Sequence, residues 1–152
     1  MRRFKKTWEG PRHPWRKDVL LAEIDLLGRY GLKNKRELWK MKTILRKIRK
    51  RARALLALSP AERAIEEEKL KKLLIKYGLI DENADVSAIL SLTIEDILKR
   101  RLQTVIYNLK LANSIYHARQ LIVHKKVMVG DKIVSSPSYL VKKDEEDKIK
   151  II

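Results

Sequence analysis

A chain of 152 residues, 45% of them hydrophobic, can bury a core as one domain or two small ones, which excludes wholesale disorder. Its 36 Lys and Arg against 19 Asp and Glu leave a net charge of +17, which predicts a polyanionic partner and says nothing of fold. With no cysteine there is no disulfide framework and no Cys-ligated metal, and no apolar run approaches the ~20 residues of a membrane span.

The N-terminal "MRRFKKTWEGPRHPW" is basic but lacks the apolar stretch of a signal peptide, so a soluble intracellular protein is expected. Residues 1–17 hold seven cations and one acid, broken by Gly10, Pro11 and Pro14, with Trp8 and Trp15 among the charges. They read as an extended arm that orders only on a partner. Asp18 to Tyr30 predicts a helix with Val19, Leu20, Ile24 and Leu27 inward, ended by Gly31. Asn34 then caps, with Glu37 three residues later to close a capping box. The helix that follows runs from about Lys35 to Leu58, its apolar stripe being Leu38, Met41, Leu45, Ile48, Ala52 and Leu55. "SPAE" starts another at Ser59 and Pro60, which ends at Tyr77 before Gly78. Thr93 and Asp96 form a further box, with Leu92 stapled against Ile97.

The character changes after residue 99. "RLQTVIYNL" predicts a short helix with Leu102, Val105, Ile106 and Leu109 inward, and "SIYHARQLIVH" a second, capped by Ser114, with Ile115, Ala118, Leu121 and Ile122 inward. "KVMVGDKIV" predicts a hairpin turning at Gly130-Asp131, to which "SYLV" and "KIKII" add strands. The expected architecture is α+β: an arm (1–17), a helical region (18–99) and a compact helix-helix-hairpin module (100–152).

No catalytic signature interrupts this plan. The glycines, at positions 10, 28, 31, 78 and 130, form neither a P-loop nor a dinucleotide fingerprint. His117 and His124 lie seven apart, too far for i,i+4 ligation of one metal, so no metal and no cofactor is expected. Glu66, Glu67 and Glu68 reach Lys71 and Lys72 at helical spacing, a salt-bridged solvent face. "DEED" at 144–147 reads as a solvated turn or as a contact to a basic neighbour. The protein is not expected to be an enzyme.

The sharpest feature is "TILRKIRKRAR". Like charges one helical turn apart repel, yet residues 35–53 set ten cations against Glu37 alone. A solvated helix normally mixes signs, so Lys42, Arg46, Arg49, Lys50 and Arg53 are expected to face nucleic acid. A membrane-surface helix is the competitor, but flanking capped helices can cover the apolar stripe as core. In the arm, Arg2, Arg3, Lys5 and Lys6 supply charge, while Trp8 and Trp15 can stack on unpaired bases, which favours RNA over DNA.

Arg100 to Val141 resembles the S-four RNA-binding domain in "ARQL" (118–121), His124, Val127, Val129 and "PSY" (137–139). That domain also occurs in pseudouridine synthases, tyrosyl-tRNA synthetases and heat-shock RNA binders. "RYGLKNKRELWKMKTILRKIRKRARALL", "LIKYGLIDENADVSAILSLTIEDILKRRLQT" and the "HPW" arm extend the resemblance to the archaeal and eukaryotic S-four family of small-subunit ribosomal proteins. The resemblance implies an early-binding assembly protein on the 5′ domain of small-subunit rRNA, in the cytoplasm. It further implies neighbours in small-subunit proteins three and five rather than a second copy of itself, and a place where mRNA enters, with influence on decoding accuracy. Carried to this chain, it adds Arg101, His117, Arg119, Gln120, His124, Lys125 and Lys126 as RNA contacts. The zinc-binding cysteine cluster of some bacterial relatives has no counterpart here. The S-four-like protein of a pre-rRNA processing particle, and a free RNA chaperone or translational repressor, are the alternative readings.

Overall fold

The computed structural model describes residues 6–152. Five helices form the first part: α1 (Lys17–Arg29), α2 (Lys35–Leu55), α3 (Pro60–Lys76), α4 (Val86–Ser91) and α5 (Ile94–Lys99). Helices α6 (Leu102–Asn108) and α7 (Ile115–Val123) follow, then β1 (Val127–Val129), β2 (Lys132–Ile133), a 3₁₀ turn over Lys143–Lys148 and β3 (Ile149–Ile151). The sheet order is β2-β1-β3, both pairings antiparallel, with Met128 opposite Ile133 across the Gly130-Asp131 turn.

Helix α2 is the axis of the first core. Asn34 Oδ1 accepts from the Glu37 N–H at its start, and Leu38, Met41, Leu45, Ile48, Ala52 and Leu55 are all buried, as the 3,4 spacing requires. Against that stripe pack Leu26, Tyr30 and Leu32 from α1 and its exit, Leu70 and Leu74 of α3, Val86 and Ile89 of α4, and Leu92, Ile97 and Leu98. The second core gathers Leu102, Val105 and Ile106 of α6, Ala118 and Ile122 of α7, and Val127, Val129, Val141 and Ile149. Asp96 accepts from the Thr93 backbone N–H and hydroxyl, the expected box.

Four expectations are corrected. Helix α1 leaves Ile24 exposed and buries Glu23 instead, because Glu23 accepts from Trp39 Nε1 and Lys42 Nζ, each at 2.9 Å, with Lys35 at 3.5 Å. Burial raises the Glu23 pKa, but these donors outweigh it and hold the group below its usual range. Leu109 follows the last turn of α6 and stays exposed. "SYLV" makes only an isolated bridge, Arg101 to Leu140, although "KIKII" does pair with β1. For "DEED" the first reading, a solvated turn, gives way to the second, contact with basic neighbours: Glu145 accepts from Tyr139 and Lys142, and Glu146 from Arg100.

The most consequential departure is Glu37. Rather than closing a capping box, its carboxylate crosses to the second core, accepting from Arg101 Nη2 at 2.9 Å and Arg119 Nη2 at 2.6 Å. Arg101 is 1% exposed. Gln103 joins them, accepting from Arg119 while donating to the carbonyls of Gly31 and Ile115. The seam also explains Gly31, at φ +56°: a Cβ there would stand 2.8 Å from Gln103 Nε2 and from Ile115. For Glu37 burial pushes the pKa up, yet the hydrogen bonds and charges of Arg119 and Arg101 prevail and hold it below the ordinary range. Burial pulls the Arg101 guanidinium down despite Glu37. An arginine nonetheless keeps its proton, so the ionised triad is the state at neutral pH.

Two outcomes follow for stability. Glu37→Gln leaves Arg101 buried without a counterion and should cost about 3 kcal/mol at pH 7, read from urea unfolding by circular dichroism. Because the folded-state pKa is depressed, this contribution is fully present above the ordinary glutamate range of about 4 and is lost as pH falls through the folded value. The gap between wild type and variant should therefore close on acidification; a gap that widens instead would contradict the depressed pKa. Gly31→Ala should cost more than about 1 kcal/mol, combining a left-handed backbone with a steric clash at the seam.

Candidate RNA interface

The cations of α2 sort by direction. Those that face the fold are satisfied internally: Lys35 and Lys42 by Glu23, and Arg49 by donating to the Leu92 carbonyl at the end of α4. Those that face outward, Lys47, Lys50, Arg51 and Arg53, are exposed and have no carboxylate within ion-pair distance among the described residues. Arg46 points the same way but is paired with Glu9.

That pair belongs to a clamp which the sequence did not disclose. The Glu9 N–H donates to Thr43 Oγ1 at 3.0 Å, and the Trp8 ring lies 5.1 Å from that of Trp39, tilted by 35°. Lys6 and Arg36 sit over Trp8 at 4.1 and 5.9 Å. The arm between Lys6 and Gly10 is thus seated on α2. Trp8 is engaged by Trp39 and cannot serve as a free stacking platform. Trp15 remains 88% exposed. Arg2, Arg3 and Lys5 lie outside the described residues.

In the second part, the end of α7 forms a polar concavity of about 270 Å³ lined by His117, Gln120, Leu121, His124 and Lys126. Ser114 caps the helix by accepting from the His117 N–H. The His117 ring accepts at Nδ1 from the Asn113 N–H at 3.4 Å, leaving Nε2 as its remaining polar atom. Gln120, His124, Lys125 and Lys126 are exposed. The concavity has no acidic lining residue, so every polar side chain around it can donate a hydrogen bond.

Arg101 and Arg119 do not join this surface. Arg101 is buried in the Glu37 triad, and Arg119 makes its short ion pair there too, so both brace the fold. Arg49, fixed on Leu92, is likewise withdrawn. No local sequence signal separated them, because the carboxylate that claims Arg101 and Arg119 lies 64 and 82 residues earlier in the chain. No group of three or more His, Asp or Glu suited to a metal occurs among the described residues, and none of their helices is long and apolar enough to cross a membrane.

Residues 100–147 match the S4 domain family. The chain is 53% identical over 143 residues to small ribosomal subunit protein uS4 of Hyperthermus butylicus, covering 94% of this chain and 81% of that protein. It is 51% identical to uS4 of Ignicoccus hospitalis over 97% of this chain and 89% of that one, and 52% identical to uS4 of Saccharolobus solfataricus over 97% and 82%. Similarity on that scale covers nearly the whole chain, and the chain belongs to the small ribosomal subunit protein uS4 family, a family of ribosomal proteins and not of enzymes.

Proposed function

We propose that this protein is an rRNA-binding constituent of the small ribosomal subunit, held by two cationic surfaces on one RNA. The observation that carries the reading is the sorting of α2: Glu23 takes up Lys35 and Lys42 and the Leu92 carbonyl takes up Arg49, while Lys47, Lys50, Arg51 and Arg53 have no acidic partner within ion-pair distance among the described residues. Unpaired like charges on one face are stabilised only by an external polyanion, and phosphates at that face release counterions from the RNA. Membership of the uS4 family supports ribosomal RNA as that polyanion.

On this reading residues 1–17 form the arm, residues 18–99 the helical RNA-binding region and residues 100–152 the S4 unit, with residues 6–10 of the arm lying along α2. Lys47, Lys50, Arg51 and Arg53 neutralise phosphates. Arg46 joins them once Glu9 yields, and Lys42, tied to Glu23, sits at the edge of the strip. On α7, Lys125 and Lys126 hold phosphates, while Gln120, His117 and His124 donate to sugars or base edges. The RNA is the 5′ domain of the small-subunit rRNA, bound early in assembly. The protein sits in the cytoplasmic ribosome beside small-subunit proteins three and five where mRNA enters, and contributes there to decoding accuracy.

The test is affinity over a salt series for 5′-domain rRNA against an unrelated structured RNA of equal length. Preference for the first should survive at high salt; equal affinities collapsing together would reduce the protein to a generic basic RNA binder. Replacing Lys47, Lys50 and Arg53 together by Ala should flatten the slope of log affinity against log salt by about three units. Arg49→Ala should instead lower stability and leave the slope alone. Gln120→Ala should weaken 5′-domain binding by about 1–3 kcal/mol with the slope unchanged, because it removes a hydrogen bond and no charge. A changed slope there would mean that the α7 end had been displaced as a whole.

A further inference from the structure

Four helices of this chain end in the same way, and the residues chosen for those ends differ in a manner the fold does not explain. After α1, α3, α6 and α7 the chain turns through a left-handed residue, Gly31, Gly78, Lys110 and Lys125, with φ of +56°, +62°, +56° and +60°. At each the same two hydrogen bonds close the end: for α7, Lys125 N–H to the Ile122 carbonyl and Lys126 N–H to Leu121, and for α6, Lys110 N–H to Tyr107 and Leu111 N–H to Ile106. Glycine is the residue that adopts this backbone without cost. Two of the four ends use it. At Gly31 a Cβ is also excluded by Gln103 and Ile115, and at Gly78 it would meet Arg100.

Lys110 and Lys125 are the only non-glycine residues with positive φ among the described residues. Both are exposed, and neither side chain donates to any protein acceptor among the described residues. A cation near a helix C-terminus is favoured by the helix dipole, and α6 and α7, with no basic residue in the last turn, gain one from Lys110 and Lys125. Arg29 of α1 and Lys76 of α3 supply the same charge from inside the last turn without a left-handed backbone, so the dipole accounts for a cation at these ends but not for its strained position. Backbone strain that no internal contact rewards tends to mark functional positions. For Lys125 the reward is plain, since it adjoins His124 and Lys126 at the concavity. Lys110 stands in the corresponding place one helix earlier. Its loop is tied to the same face, because the Asn113 N–H of that loop donates to His117.

We propose that Lys110 is a further phosphate ligand, so that the α6–α7 loop and the turn after α7 flank the concavity with one strained lysine each and grip the RNA backbone on both sides of it. The inference rests on the RNA-binding reading above and extends its surface to the loop between α6 and α7. The nine-residue helix α7 lies between the two lysines in the chain and is on the order of 14 Å long, a length along which several phosphates of one strand can lie.

The substitution that tests it is Lys110→Gly, with Lys125→Gly beside it, because binding and folding should then move in opposite directions. Glycine relieves the left-handed backbone, so each variant should unfold at higher urea. Each should also bind 5′-domain rRNA several-fold more weakly and lower the salt slope by about one unit. Lys110→Arg, which keeps both the charge and the strain, should retain the wild-type slope. A Lys110→Gly protein with wild-type affinity and slope would overturn the proposal, and so would one that loses stability along with affinity, since Lys110 would then be part of the helix end. Lys125→Gly and the triple α2 variant separate the two readings. If they too leave the slope untouched, the RNA-binding surface itself is wrong; if only Lys110→Gly does, the surface stands and the extension to this loop falls.

Discussion

The fold depends on one carboxylate being shared by two guanidinium groups across the seam between its two cores. Glu37 leaves the first turn of α2 to meet Arg101 at the start of α6 and Arg119 on α7. Buried charges are expensive unless each is paired and hydrogen-bonded. That cost makes the seam specific, because Arg101 can be buried only where Glu37 reaches it, and Arg119 and Gln103 complete the arrangement. Gly31 belongs to the same constraint, since its carbonyl receives Gln103 and its missing Cβ lets the amide approach. Helix α7, and with it the concavity at its end, is oriented by a contact made at the opposite end of the sequence's second helix.

A second consequence is the division of labour among cations. The chain carries a large positive excess, and three of its acids are placed beside the cations of α2 and of the seam. Glu23 serves Lys35 and Lys42, Glu37 serves Arg101 and Arg119, and Glu9 serves Arg46. What remains on the outer face of α2 is a run of cations without counterions. Self-repulsion there is a modest cost in free solution, screened by salt, and becomes a gain when a polyanion is aligned with the helix. The same exclusion of acids around His117, Gln120, His124 and Lys126 makes the end of α7 a second donor surface.

Part of the arm has partners within the chain itself. Its single acid and one of its tryptophans are spent on α2, through Glu9 on Arg46 and Thr43 and through Trp8 on Trp39. Exposed ion pairs of this kind contribute little, so the clamp rests mainly on the aromatic contact. Trp15, past Gly10, Pro11 and Pro14, is left outside it.

The sequence alone determined the helical periodicity of α2, the ends of α1 and α3 at Gly31 and Gly78, the Thr93–Asp96 box, and the hairpin at Gly130-Asp131. Each is decided by neighbours within a few residues, where apolar spacing, cap chemistry and glycine's freedom act directly. It also showed that the basic helix needs a polyanion, because an excess of charge is a property of composition. Only the tertiary structure decided which cations are available to it. Arg49, Arg101 and Arg119 look like their exposed counterparts in a one-dimensional reading, and Glu23 looks like a solvent-facing residue of α1. Their fates depend on partners 12 to 82 residues away. Ion pairs across such distances carry no sequence periodicity, because a buried charge answers to whatever opposite charge the packing of two cores brings within reach.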